Sequence, residues 1–330
     1  LGKHTAAIYP IVLPDRLEIL LSMPDGIRRY TVAVTANELN TEINHFRARL
    51  EKRTTHQYRR HAQKIYSWLI EPLESDLQAQ NIDTLVFIPD GVLRTIPVTA
   101  LYDGKNFLVS RYAVAVTPGL SLTDPQPLPR ENVKLLVAGL TESVQGFPPL
   151  PDVEGEVATL EELYDGAVLE NKGFTQSSIE QELGDTPFSI VHVASHGKFQ
   201  SDVRDTFLLT YDSKLNMDTL EGFMASTTYR DQPVELLTLS ACQTAVGDDK
   251  AALGLGGVAV KAGARSAVAT LWYINDKASS LLVTEFYANL KNPDVSKARA
   301  LQQAQLTLLA DPRFKHPSYW SPFLLIGNWL

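Results

Sequence analysis

Two apolar runs of this sequence end in side chains that can do nucleophilic chemistry. Ile190-Val191-His192-Val193-Ala194-Ser195 leads straight into His196-Gly197, and Leu236-Leu237-Thr238-Leu239-Ser240-Ala241 leads into Cys242, the sole cysteine. The thiolate is the reactive form of cysteine, and a neighbouring imidazolium lowers a thiol's pKa by units, so a histidine beside Cys242 would arm it. Gly197 has no Cβ, which lets a substrate carbonyl approach the main chain. Its amide, with that of Cys242, can receive the charge of a tetrahedral intermediate, where one such donor is worth ~3 kcal/mol. His192 lies on the same face of its run as His196 but inside it, which reads as a packed core histidine. A lone cysteine is by itself more often a small buried hydrophobe. The terminal position of both reactive groups and the adjacent glycine favour catalysis instead. The condition is that the two runs be neighbouring strands of a parallel sheet, since ligands gather outside the carboxyl ends of such strands.

Other chemistries find no support. Gly254-Leu255-Gly256-Gly257 lacks the Lys-Ser/Thr of a phosphate loop and the full dinucleotide pattern, and reads as close helix packing beneath the cysteine. There is no Gly-x-Ser-x-Gly elbow and no His-Glu-x-x-His. His4, His45, His56 and His61 are scattered or lie in a basic helical region, so no metal and no cofactor is expected. The 330 residues are 44% hydrophobic and 21% charged, a globular composition with room for two lobes. A net charge of −8 gives no support to nucleic-acid binding. A single cysteine forbids an internal disulfide and suits a reducing compartment. Apolar stretches such as Ser266 to Asn275 fall short of the ~20 residues of a membrane span, and no leader opens the chain, so a cytoplasmic location without membrane contact is expected. The chain opens on Leu1 rather than Met, so neighbouring segments of a longer protein are expected.

The elements that must position the two groups can be read from periodicity. Leu17, Ile19 and Leu21, then Pro24-Asp25-Gly26, then Tyr30, Val32 and Val34 predict a β-hairpin. Helices are expected from Ala36 to about Leu50 and from Tyr58 to about Gln80, the second interrupted near Pro72. A basic run crosses them: Arg47, Arg49, Lys52, Arg53, Arg59, Arg60 and Lys64. It reads first as a solvated corner and second as a docking patch for acidic partners. Leu85 to Ile88 and Leu108 to Val116 read as strands, and Pro118 to Pro129 as a linker. Beyond it strand and helix alternate. Strands are expected at Val133 to Ala138, Ala167 to Leu169, Phe188 to Ala194, Leu236 to Ser240, Ser266 to Trp272 and Phe323 to Ile326. Helices are expected along Val153 to Tyr164, after a capping box at Ser177 to Glu180, from Ala251 to Ala262, along Leu282 to Leu290, and from Ser296 to Leu309. Uninterrupted apolar strands separated by helices imply a mostly parallel α/β sheet covered on both faces.

The blocks Val191 to Gly197 and Leu237 to Thr244 resemble the paired His-Gly and Ala-Cys signatures of the caspase, separase and gingipain clan of cysteine peptidases, and their separation is near the ~50 residues of caspases. More specifically the chain is similar to CHAT domains, bacterial separase-like caspase relatives often found beside tetratricopeptide repeats. Supporting blocks are Ile88-Pro89-Asp90-Gly91 with Ile96-Pro97, Gly254-Leu255-Gly256-Gly257, Gly263-Ala264-Arg265 before Thr270-Leu271-Trp272, and His316-Pro317 with Trp320, Phe323 and Gly327-Asn328. The similarity covers most of residues 60 to 330. It implies a caspase-like α/β catalytic lobe at 129–330, preceded at 1–128 by a degenerate, pseudo-caspase companion lobe with the hairpin and the helical pair. It also implies a Cys242–His196 dyad with the Gly197 and Cys242 amides as oxyanion hole. In separases an acidic residue after the Leu-Trp strand helps hold a basic P1 side chain. Asp276 occupies a similar place, with the alternative that it merely N-caps a helix beginning at Lys277. Asp205 and Asp248 flank the expected cleft with weaker claims.

The resulting expectation is an endopeptidase acting on protein substrates, latent until a sensor domain or partner orders residues 198 to 234. That partner could be tetratricopeptide repeats outside this chain, none of which occurs within it. Two rivals stand beside it: a catalytically silent interaction module working through the basic corner, and a cysteine hydrolase of small molecules.

Overall fold

The computed structural model describes residues 1–199, 206–224, 233–244 and 263–330, with 199 and 241–244 described by backbone alone. The expected helix at 251–262, the glycine run 254–257, Asp205 and Asp248 lie outside the described residues.

The chain opens with β1 (Thr5–Val12), which the sequence pattern did not single out, and the expected hairpin of β2 (Leu17–Met23) and β3 (Gly26–Val32). The hairpin closes with Met23 opposite Gly26, whose φ of 138° suits a residue without a Cβ. Helix α1 (Ala36–Leu50) starts at a capping box in which Thr35 and Glu38 bond reciprocally. Helix α2 (Tyr58–Leu69) yields to a 3-10 turn, Glu71–Leu73, around Pro72 before the short α3 (Glu74–Ala79). Strands β4 (Thr84–Phe87) and β5 (Ala113–Val116) follow. The expected strand from Leu108 is shorter, because Leu108–Ser110 forms a 3-10 turn. Residues 118–129 hold a 3-10 turn, Leu120–Leu122, and bury Leu128.

The second half runs β6 (Leu135–Gly139), α4 (Asp152–Leu163), β7 (Gly166–Glu170), α5 (Gln176–Asp185), β8 (Ile190–Phe199), β9 (Phe207–Leu209), β10 (Lys214–Asn216), α6 (Met217–Met224), β11 (Leu236–Thr244), β12 (Ser266–Thr270), α7 (Asp276–Leu290), α8 (Lys297–Ala310) and β13 (Phe323–Gly327). The cap of helix α5 lies two residues before the expected Ser177. Thr175, extended and free to turn its hydroxyl inward, accepts from the Ser178 amide.

Among the described residues thirteen strands form one sheet whose main path is β10-β9-β8-β11-β12-β13-β5-β4-β1-β2-β3, with β6 pairing β8 and β7 pairing β6. β7, β6, β8, β11 and β12 are parallel, and β13 runs antiparallel to β12 but parallel to β5, so it seals the seam between the two halves. Strands β4, β6, β12 and β13 are wholly buried, as strands covered on both faces must be. Helix α8 ties the halves together: Gln302 donates to the Val109 carbonyl, Gln305 to those of Trp320 and Phe323, and Arg299 pairs with Asp83 at 2.9 Å.

Candidate active site

The two apolar runs are adjacent strands. β8 and β11 pair in parallel from Ile190 opposite Leu236 to Ala194 opposite Ser240, and resume with Gly197 opposite Cys242. Between these two stretches β8 carries one more residue than its partner, so Ser195 and His196 form a bulge, a device that re-aims a side chain. The neighbour of β8 on its other side changes at the same place. β6 pairs with it up to Ala194, and β9 takes over at Gly197. After β6 the chain peels away, so His196 sits where the sheet opens, at the carboxyl end of β6 and in the bulge of β8, which runs on to Phe199 beyond the strand end expected at Ala194. That is where an α/β sheet binds its ligands. The side chain of Cys242 is outside the described residues; its backbone lies one register position from His196.

His196 is partly buried. Its Nε2 donates to the Pro148 carbonyl at 2.8 Å, and its ring stacks at a tilt on Phe147, centroids 5.1 Å apart. A carbonyl only accepts, so Nε2 carries the proton in the neutral imidazole and Nδ1 keeps the lone pair that can take one. The backbone that supplies this carbonyl is itself held. Residues 140–151 join β6 to α4 through a turn with Gln145 and Gly146 at φ of 51° and 84°. Ser143 donates to the Phe147 carbonyl, Gln145 to that of Thr210, and the Asn171 carboxamide oxygen accepts from the Thr141 and Glu142 amides.

Asp276 closes the far side of this loop. It is the first residue of α7 rather than its cap: Asn275, extended at ψ 131°, accepts from the Ala278 amide instead. The Asp276 carboxylate reaches across to α4 and accepts from the Asp152 amide at 2.9 Å, bonding one of the free donors of that helix start. Half burial, with Asp152 and Glu156 nearby, pushes its pKa up to about 6. The resulting chain, Asp276 to Asp152 to the 140–151 loop to Pro148 to His196, was not visible in the sequence, because its key link is a main-chain carbonyl.

His192 is the core histidine the sequence suggested. It is fully buried, and its Nε2 bonds the Glu156 carboxylate of α4 at 2.7 Å. The Tyr287 hydroxyl lies 3.4 Å from its other nitrogen and donates to Thr238 at 2.8 Å. This network bolts α4 and α7 to β8 and β11 directly beneath the reactive positions. Glu156 itself was not anticipated, being one acidic residue among several on an amphipathic helix.

Among the described residues no group of His, Cys, Asp and Glu is arranged to hold a metal ion. No helix among them is long and apolar enough to cross a membrane.

A large, mostly parallel sheet flanked by helices, with its crevice at this strand break, defines a caspase-like fold. Gingipain R, an Arg-specific cysteine proteinase, matches with a TM-score of 0.55 over 88% of this chain and 74% of that one, at 9% identity. Separase of Saccharomyces cerevisiae, in its complex with securin, matches with a TM-score of 0.58 over 98% of this chain and 30% of that one, at 8% identity. At such identities the likeness is one of fold. Within that fold, residues 59–328 match the CHAT domain, and the chain belongs to the CHAT domain family. Human tetratricopeptide repeat protein 28 is 31% identical over 98 residues, which make up 29% of this chain and 4% of that protein. The chain therefore aligns with only a small fraction of that relative's length.

Proposed function

We propose that this chain is a cysteine endopeptidase of the separase-like type, in which Cys242 and His196 form the catalytic dyad. The observation that supports it most is the strand register: Gly197 stands opposite Cys242 at the point where the sheet opens, with His196 in the bulge beside it. In this reading His196 Nδ1 takes the thiol proton while Nε2 stays fixed on the Pro148 carbonyl, and the thiolate attacks the scissile carbonyl carbon. The Gly197 and Cys242 amides receive the oxyanion. His196 returns the proton to the leaving amine, and water then hydrolyses the thioester.

Substrate choice is proposed to rest on Asp276. Its carboxylate accepts from the Asp152 amide and lies beside the Asp152 side chain, and this acidic pair would receive the guanidinium or ammonium of a basic P1 residue. The likeness to an Arg-specific proteinase agrees with that preference. Asp205 and Asp248 are proposed as further acidic groups of the cleft. The human relative's name agrees with an association with tetratricopeptide repeats; that such repeats or another sensor relieve latency, in a cytoplasmic setting, is part of the same proposal.

Cleavage of Arg- and Lys-containing peptides by the wild type and by Cys242→Ala tests the assignment. Loss of turnover in the variant is expected, together with rapid alkylation of wild-type Cys242 by a peptidyl chloromethylketone. Equal cleavage by both would remove the nucleophile, and a preference for P1 Asp would remove the role of Asp276.

A further inference from the structure

We propose that the corner between α1 and α2, together with the turn at 311–319, is a docking surface for an acidic polypeptide segment that inserts one apolar side chain. Arg49, Lys52, Arg53, Arg59, Arg60 and Lys315 are all exposed there, and among the described residues none of them meets a carboxylate. Elsewhere on the molecule Arg16, Arg28, Arg29, Arg111 and Arg299 each pair with one, and within the turn Arg313 is taken up by Asp311. Two members of the basic run leave the patch. Arg47 is buried, bonded to Glu51 and to the Thr95 carbonyl, and Lys64 pairs with Glu42.

What holds the remaining cations is aromatic. The Arg53 guanidinium lies 4.8 Å from the Tyr319 ring centre and that of Arg59 5.7 Å from Tyr102. These contacts orient the positive groups without neutralising them, so their charge stays available to a partner. Between them opens a cavity of about 210 Å³ with Tyr58, Phe107 and Leu309 in its wall and His56, Arg59, Lys315 and His316 around them. Burial lowers the pKa of His316, and His56, Arg53 and Arg59 add to it through their charge, which places these groups around one point. A cationic rim over an apolar cavity fits carboxylates flanking a large side chain. The net charge of −8 disfavours a long polyanion, which would run off this corner onto acidic surface, whereas a short acidic segment touches the corner alone.

Fluorescence anisotropy of a short labelled Glu/Asp peptide with one central Phe, titrated with the full chain, tests this. Saturable binding that weakens steeply with added salt is expected. Arg53→Glu/Arg59→Glu/Lys315→Glu should weaken it by about tenfold or more, and replacing the Phe by Ser should weaken it several-fold. The equal charge change at Lys3, Lys172 and Lys291, all exposed elsewhere, should leave it within about twofold. If the triple reversal does not fold, as judged by circular dichroism, Arg53→Ala/Lys315→Ala reads the same loss in milder form. Absence of saturable binding, indifference to the reversal or to the Phe, or tighter binding of a single-stranded oligonucleotide than of the peptide would each overturn the proposal.

Discussion

Asp276 has two tasks in the proposed site, and removing its charge alone separates them. The carboxylate anchors the Asp152 amide, and as an anion it would hold a basic P1 side chain. Asn in its place keeps an acceptor oxygen but no charge. Asp276→Asn should therefore lose most of the preference for Arg over Gln at P1 while Cys242 alkylation by iodoacetamide keeps its rate; Asp276→Ala should lose both. The pH dependence follows from the pKa of about 6, raised from 3.8 by burial. Above pH 6 the group is an anion, and as pH falls through 6 it is neutralised. The Arg-to-Gln ratio of kcat/KM should then fall on acidification from pH 7.5 to 5, and a ratio flat across that range would take Asp276 out of the S1 pocket. The raised pKa also means that ionised Asp276 works against folding. Asp276→Asn should unfold no more easily than wild type at pH 7.5, which separates a specificity effect from a loss of structure.

At the scale of elements, the bulge in β8 and the loop from β6 to α4 act together. The bulge turns His196 out where β6 leaves the sheet, and the departing chain returns its Pro148 carbonyl to the imidazole. Gly146 makes that return possible, since its φ of 84° is one that L side chains rarely adopt, while the space around its Cα is open. A Cβ there meets nothing within 4 Å, so the cost of Gly146→Ala, about 1–2 kcal/mol, would be conformational and confined to the turn. Slower alkylation of Cys242 with little change in melting temperature is the expected outcome; an unchanged rate would mean that the loop does not orient His196. How much of this was legible follows from which atoms carry it. The parallel sheet could be read, because runs as apolar as Leu135 to Ala138 belong to its middle, but that the two reactive strands are neighbours stood only as a condition of the chemistry. The bulge could not be read, since Ser195 and His196 differ in nothing from a regular continuation of the strand. Nor could Pro148, because every residue owns a carbonyl and only the path of the chain shows which one faces an imidazole. Asp276 was noticed as an acid near the edge, but its partner is the start of another helix, far away in sequence.

The whole molecule has two unlike edges. Its carboxyl edge gathers the proposed dyad. Its amino edge, beside the seam sealed by β13, gathers charge: buried Glu235 just before β11, half-buried Arg265 just before β12, and buried Lys297 at the start of α8. The seam itself tolerates little. Gly327 has a φ of 90°, and a Cβ there would lie 2.6 Å from the Arg265 carbonyl oxygen, so Gly327→Ala should cost about 3 kcal/mol or more, read as a lower urea midpoint.

Lys297 is wholly buried, and its ammonium has no hydrogen-bond partner among the described residues. Burial lowers its pKa from 10.5 to about 8, against the opposing pull of Glu235. The charged form is thus disfavoured in the folded state, at a cost of about 3 kcal/mol at most. Below pH 8 that cost is present in full. Between 8 and 10.5 the folded protein has shed the proton that the unfolded chain still holds, so stability rises with pH across that window. Lys297→Met fills the same space without a charge and removes the titration. Its chemical-denaturation stability should therefore be flatter than that of wild type from pH 7.5 to 10. At pH 7.5 part of the gain is offset, because Glu235 is left with Arg265 alone at 3.4 Å. A wild-type profile already flat over this range would mean that Lys297 keeps its proton on folding, and so that water or a counter-charge reaches the amino edge of the seam.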